Sequence, residues 1–178
     1  MNIVLFGFMA TGKTTIGKIL SEKLGYGFLD TDQLIEEESG KEIKQIFEDQ
    51  GESYFRKLER EAVKKAGSLN NYVIACGGGA VMDPLNVGHL KRNSKLVLLE
   101  ASIDEIIQRT KNDSSRPLLK GKNPRSKADK LLEKRTGLYH KVADVIVDTT
   151  GRKPEEITNE ILLRLEMHEG TLKSKKVF

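Results

Sequence analysis

The chain has 178 residues, 38% of them hydrophobic and 31% charged, which fits one compact domain that buries its own core without a metal staple or disulfides. A single cysteine, Cys76, excludes a disulfide scaffold and favours a reducing compartment, and 30 basic against 26 acidic side chains leave +4, enough to draw small anions but not a nucleic-acid tail. The apolar run at residues 3–8 is too short for a secretory core and no stretch approaches a membrane span, so a cytoplasmic protein is expected.

Taken in chain order, the apolar run 3–6 predicts a first strand, and the sequence GFMATGKTT at 7–15 follows it directly. A first helix is predicted from the Gly12-Lys13-Thr14 step, with Ile16, Ile19, Leu20 and Leu24 facing the core and Gly25 ending it. The run 28–29 predicts a second strand, followed by Asp30 and Asp32. Ile43, Ile46 and Phe47 mark a short helix, and a longer one is expected over 52–66, with Phe55, Leu58, Ala62 and Val63 on one stripe and Gly67 closing it. Runs at 72–75, 96–99 and 145–147 predict three more strands, and Gly77-Gly78-Gly79 follows the first of these. All five runs are continuously apolar rather than alternating, as strands covered on both faces require, which predicts a parallel α/β sheet. Residues 110–125 lose periodicity in polar, Gly- and Pro-containing sequence and are expected to form a mobile lid; from Met167 onward a frayed tail is expected.

Gly7, Gly12, Lys13 and Thr14 match GxxxxGK(S/T), and the motif lies between a strand and a helix, where successive backbone N–H groups and a helix N-terminus surround a phosphate. Lys13 is expected to reach the β- and γ-phosphates and the Thr14 hydroxyl to ligate Mg²⁺. A phosphotransferase also needs carboxylates to hold the metal and to orient an attacking hydroxyl, and Asp30 and Asp32 stand at a strand end where ligands bind; Asp32 is equally suited to capping the helix that holds Leu34 and Ile35. Arg56, Arg116 and Arg135 suit carboxylate or phosphate, yet with Glu52 and Glu59 at helical spacing Arg56 reads, on spacing alone, as part of a solvated ion-pair face, and Arg135 has a similar alternative through Glu133 and Asp129. No His or Cys has a partner at zinc-ligand spacing, and Cys76 is expected to be a small buried hydrophobe.

Seven pieces in order, GFMATGKTT at 7–15, Asp30-Thr31-Asp32, GESYFRKLE at 51–59, GGG at 77–79, RPLL at 116–119, RTGLY at 135–139 and VDTTGRKP at 147–154, resemble the shikimate kinase family over about residues 1–165. The resemblance implies a three-layer, nucleoside-monophosphate-kinase-like α/β domain over 1–167, its five-stranded parallel sheet in the order 2-3-1-4-5, with an acceptor region at 32–61, a lid at 110–125 and a tail at 168–178. It implies transfer of the γ-phosphoryl group of ATP to the 3-hydroxyl of shikimate with Mg²⁺, by a monomer with no nucleic-acid or membrane partner. Lys13, Asp32 and Arg116 would be catalytic, and Asp32, Arg56, Arg135 and the backbone of Gly77, Gly78 and Gly79 would hold shikimate. The nucleotide would meet Gly7, Ala10, Thr11, Gly12, Lys13, Thr14, Thr15, Arg109, Arg116, Arg152 and Pro154, with adenine between Arg109 and the loop 149–154. Asp30 would hold Mg²⁺ through water beside Thr14. Ala10 departs from the family by standing where another glycine is frequent. Two rivals remain, a kinase for another hydroxylated acid such as gluconate and a nucleotide-gated binding module; the interspersed charges give the latter little support.

Overall fold

The structure, a computed structural model, describes residues 1–111 and 123–167. Five parallel strands, β1 (Asn2–Gly7), β2 (Gly27–Asp30), β3 (Tyr72–Ala75), β4 (Ser94–Glu100) and β5 (Val145–Asp148), form one sheet in the order β2-β3-β1-β4-β5. This is the expected order. Helices α1 (Lys13–Leu24), α2 (Thr31–Ser39), α3 (Ile43–Gly67), α4 (Pro84–Lys91), α5 (Ile103–Thr110), α6 (Pro124–Val142) and α7 (Pro154–Arg164) flank it. β1 lies in the middle, and because successive strand residues point to opposite faces, its side chains divide between two cores. Ile3 and Leu5 pack with Ile16, Leu20 and Leu24 of α1 and Ile157 and Ile161 of α7. Val4 and Phe6 pack with Val63 of α3, Leu90 of α4 and Tyr139 of α6. Full coverage of both faces thus explains the continuous apolar run of β1, whereas edge strand β2 is only half-buried along its length.

The register brings the strand ends level: Asp30 lies opposite Ala75, Gly7 opposite Leu99 and Glu100 opposite Asp148. β1 is flanked by β3 on one side and β4 on the other, so the connections leave it in opposite directions and a crevice opens at its C-terminal end.

Several local expectations change. The two helices expected on either side of residue 51 run within α3, interrupted at Gly51, whose φ of 76° and ψ of 175° are open to glycine and closed to most L-residues. Gly67 does not close α3: the cap is Ser68, with a right-handed φ of −83°. Gly67 is required for another reason, since a Cβ there would fall 2.8 Å from the His89 carbonyl oxygen of α4. Helix α4 has no stripe in the sequence to announce it, and Pro84 at its first position with Asp83 as cap defines its start. The expected lid is trimmed at both ends. Thr110 is the last residue of α5, Pro124 and Arg125 open α6, and Arg125 pairs with Asp104; residues 112–122 lie outside the described residues. Met167 is no part of a frayed end, because it packs on the α1–α7 core and its N–H donates to the Leu162 carbonyl; 168–178 lie outside the described residues.

Gly67 yields a test of the close α3–α4 approach. Ala is ordinarily better than Gly in a helix by roughly 1 kcal/mol, but here the added methyl meets a backbone oxygen that no rotamer change can move. Gly67→Ala should therefore lower stability by about 1–3 kcal/mol in urea unfolding, and a stabilised variant would show that α4 gives way freely.

Candidate active site

β1 ends at Gly7, and the chain turns through residues 8–11 into α1, whose cap Gly12 has φ 90° and ψ 13°. The Thr11 hydroxyl donates to the Phe8 carbonyl at 2.9 Å, and the Lys13 ammonium donates to the carbonyls of Phe8 at 2.8 Å and Gly7 at 3.2 Å. The loop thus holds a cation over its own backbone next to a helix N-terminus, a combination that suits phosphate oxygens. Ala10 sits at φ 60°, the left-handed region in which a methyl-bearing residue is uncommon. It is held there from outside: Arg109 Nη1 donates to the Ala10 carbonyl at 3.0 Å and to Thr149 Oγ1 at 3.2 Å, while Nη2 reaches the Thr149 carbonyl at 2.8 Å. Glu105 fixes the same guanidinium through Nε at 2.8 Å. Arg109 and the loop 149–154 are therefore neighbours. Arg152 donates to the Asp148 carbonyl at 2.8 Å and pairs with Glu160 at 2.7 Å, Pro154 opens α7, and Thr15 is exposed in the first turn of α1.

On the opposite side of the crevice, Thr14 Oγ1 donates to Asp30 Oδ2 at 2.9 Å, and Asp30 Oδ1 accepts the Asp32 N–H at 3.0 Å. The cap of α2 is therefore Asp30 and not Asp32. A cap precedes the helix in extended backbone, and Asp30, with φ −107° and ψ 121°, is so placed, whereas Asp32 is already inside the first turn.

Asp32, Arg56 and Arg135 come together at the glycine run after β3. A Cβ on Gly77 would fall 2.7 Å from Asp32 Oδ1, one on Gly79 would fall 2.5 Å from Arg56 Nη1, and one on Gly78 would lie 3.4 Å from Arg135 Nη1 and 2.8 Å from the Gly7 carbonyl oxygen. Three residues without side chains thus admit one carboxylate and two guanidiniums from three different elements, directly beside the start of the phosphate loop.

The ion pairs expected of Arg56 exist, with Glu52 at 2.9 Å and Glu59 at 2.8 Å, but they do not form a solvated face. Glu59 is only 2% exposed. Burial pushes its carboxyl up from the ordinary value of 4.5, the Arg56 hydrogen bond and charge pull it back in part, the charge of Asp83 raises it further, and the charge of Arg135 opposes that rise. Burial also works against the Arg56 charge, yet the hydrogen bonds and charges of Glu59 and then Glu52 outweigh it and leave the guanidinium above its ordinary range. Arg135 does not follow the solvated pattern either: it sits against the Tyr139 hydroxyl, one helical turn on, and its charge acts on Glu59. Cys76 is buried between the strand end and these charges, and burial, then Asp32, push its thiol up, which suits a packing role. Arg116 lies outside the described residues. A neighbouring cleft of about 370 Å³ opens between α6 and the ends of β4 and β5, lined by Phe8, Glu100, Ser102, Thr136, Tyr139 and Thr150 among others.

Two residues of this region are missed by the sequence reading. Glu59 is four residues after Phe55 and three before Ala62, on the very stripe that predicts the buried face of α3, so its burial was there to be read. Tyr139, 1% exposed, donates to the Gly78 carbonyl at 2.6 Å; its position seven residues before Ile146 carries no comparable signal.

A phosphate loop at the switch point of a 2-3-1-4-5 parallel sheet, facing a second polar site across the same crevice, defines a P-loop phosphotransferase of the nucleoside-monophosphate-kinase-like class. A family model described as "Shikimate kinase" matches residues 9–166. The chain is 45% identical over 164 residues to a shikimate kinase of Persephonella marina, covering 92% of this chain and 98% of that one. Its fold matches a solved shikimate kinase from Acinetobacter baumannii in complex with shikimate at a TM-score of 0.88 and 37% identity, over 99% of this chain and 95% of that one. A solved shikimate kinase from Aquifex aeolicus matches at 0.82 and 38% identity, over 93% and 96%. The chain belongs to the shikimate kinase family.

Glu59 gives two measurable consequences. Glu59→Ala strands Arg56, and should cost about 2 kcal/mol or more, between the ~0–1 of an exposed pair and the ~3–5 of a fully buried one; a loss near zero in urea unfolding would return Arg56 to the solvated class. Because its folded-state pKa is raised, Glu59 adds stability that is full below 4.5 and is lost as pH rises through the folded value. Wild type should therefore lose more stability than Glu59→Gln between pH 4.5 and neutrality, and parallel pH profiles would refute the raised carboxyl.

Proposed function

We propose that this chain transfers the γ-phosphoryl group of ATP to the 3-hydroxyl of shikimate, giving shikimate 3-phosphate and ADP, in the synthesis of aromatic amino acids by way of chorismate. The observation that carries this proposal is the meeting of Asp32, Arg56 and Arg135 on the Gly77–Gly79 backbone, one close contact away from the phosphate loop. A carboxylate opposed by two guanidiniums is complementary to a hydroxylated ring acid: Arg56 and Arg135 take the acid, Asp32 the hydroxyls.

An incoming carboxylate competes with the carboxylates already on Arg56. It displaces Glu52, which is largely exposed, and leaves Glu59, whose burial and short bond keep the guanidinium aimed at Gly79. Asp32 then orients the acceptor hydroxyl and accepts its proton as the new oxygen–phosphorus bond forms and the bond from the γ-phosphorus to the bridging oxygen breaks, with ADP as the leaving group. Lys13 exchanges its two loop carbonyls for phosphate oxygens, and the N–H groups at the start of α1, from Gly12, Lys13, Thr14 and Thr15, face the same charge. Gly7, Ala10 and Thr11 shape that loop, and Arg109, Arg152 and Pro154 flank the base and sugar. Arg116 takes the role its sequence context implies, contact with the transferring group. Thr14 and Asp30 offer two adjacent hard oxygens at the loop mouth and fit Mg²⁺, Asp30 acting through water. When bound, the metal offsets phosphate charge.

Residues 1–167 act as one domain, with 32–61 as acceptor region. Among the described residues no helix is long and apolar enough to cross a membrane; with its one buried cysteine, the protein fits a cytoplasmic monomer.

The decisive assay follows ADP release with shikimate, gluconate, nucleoside monophosphates or water as acceptor. Shikimate alone should support turnover, and comparable rates with gluconate would sink the assignment. Lys13→Ala should reduce kcat by about 10²–10³-fold with an unchanged circular dichroism spectrum. Arg56→Ala and Arg135→Ala should each cost about 2–5 kcal/mol in kcat/KM for shikimate, with the KM for ATP unchanged; undiminished kcat/KM in either would remove that arginine from the clamp.

A further inference from the structure

Tyr139 is 1% exposed in a cluster of aliphatic and aromatic side chains, its ring meeting Phe6 edge-on at 5.8 Å between centroids. For packing alone a phenylalanine would serve, and a buried hydroxyl is costly unless it is bonded. The hydroxyl is bonded: it donates at 2.6 Å to the carbonyl of Gly78, the middle residue of the glycine run. A peptide unit is planar and trans, so the C=O of Gly78 and the N–H of Gly79 point in opposite directions from one rigid plate. Fixing the carbonyl toward α6 therefore fixes the Gly79 N–H on the opposite side of the peptide, away from the Tyr139 hydroxyl. Arg135, one turn earlier on α6, converges on the same place: a Cβ on Gly78 would meet the Tyr139 hydroxyl at 2.9 Å and Arg135 Nη1 at 3.4 Å.

We propose that Tyr139 is a positioning residue for the acceptor site: its hydroxyl sets the orientation of the Gly78–Gly79 peptide and seats the Arg135 guanidinium, so that one backbone donor and one side-chain donor face the same ligand. This rests on the acceptor site proposed above. Glycine makes the contact with the charged groups possible, but its backbone has many orientations of similar energy, and a run of three has no side chain with which to choose among them. The tyrosine supplies that choice from a rigid helix, through a hydrogen bond that does not involve the ligand.

Tyr139→Phe keeps the ring and the edge contact with Phe6, so the core stays filled. The oriented donor serves ground state and transition state alike, which places the effect in KM rather than kcat. The KM for shikimate should rise about tenfold while kcat and the KM for ATP stay within about twofold. Shikimate titrations followed by ¹⁵N amide shifts should show a smaller perturbation at Gly79 in the variant. Incorporation of 4-aminophenylalanine at position 139, which restores a donor, should bring the KM for shikimate back toward wild type. Combined with Arg135→Ala, the variant should raise KM by less than the product of the separate effects, because both act on one seat. A Tyr139→Phe enzyme that is less stable yet has an unchanged KM for shikimate would overturn the proposal, as would a loss confined to kcat. Failure of the underlying acceptor assignment looks different, since wild type itself would then release no shikimate-dependent ADP, and the proposal would fall with it.

Discussion

How closely charged side chains can approach the backbone at the end of β3 governs the charged half of the crevice. Asp32 leaves β2, Arg56 comes from the far side of the Gly51 break in α3, and Arg135 comes from α6. No local sequence relation joins them. They meet because Gly77, Gly78 and Gly79 present only backbone, and any Cβ there would strike a carboxylate, a carbonyl or a guanidinium. Sheet order adds the second half of the constraint. β3 is hydrogen-bonded to β1, so the glycine run lies against Gly7 and the phosphate loop begins where the charged cluster ends.

Charge is balanced on that cluster by burial as much as by pairing. Glu59 is shielded from water on the inner stripe of α3 and holds Arg56 by a short bond, while Asp83, the cap of α4, pairs with Arg60 at 2.5 Å nearby. An isolated buried carboxylate would be neutral; beside a guanidinium it stays matched, and removal of either member exposes the other to the full cost of desolvation. The arrangement is less a source of stability than a means of fixing direction: a long flexible arginine, half-buried and tied at all three nitrogens, has few orientations left.

The five strands, their parallel direction and the phosphate loop were legible because each rests on a short-range pattern: continuous apolar runs, and glycines at fixed spacing before a lysine. Strand order was not in those patterns and came with the family resemblance. The site was legible residue by residue but not as an arrangement. Spacing alone left Arg56 divided between ligand and ion pair, and the structure shows that the pairs are present while the inner partner, Glu59, is buried. The capping alternative for Asp32 falls two residues late, because Asp30 and Asp32 are chemically alike and only the backbone angles separate them. Gly67 was read as a stop when it is a point of contact, for a glycine in a sequence does not say whether it serves the chain's own angles or a neighbour's atoms. Tyr139 was hidden for a related reason: its partner is a backbone carbonyl 61 residues away, and carbonyls have no identity in a sequence.

Arg109 joins the Ala10 carbonyl to Thr149, and the first of those bonds spans 99 residues. The phosphate loop is therefore synthesised well before Arg109, the group that braces its left-handed residue. β1 likewise waits for β3 and β4 before it has neighbours, since its own N-terminal position in the chain is the central position in the sheet. During synthesis this strand, buried along its whole length in the folded protein, therefore lacks its neighbours until β4 has been made, and contacts of such high sequence separation close slowly. A nascent chain of this design passes through an interval in which β1 is unpaired and the nucleotide site does not yet exist.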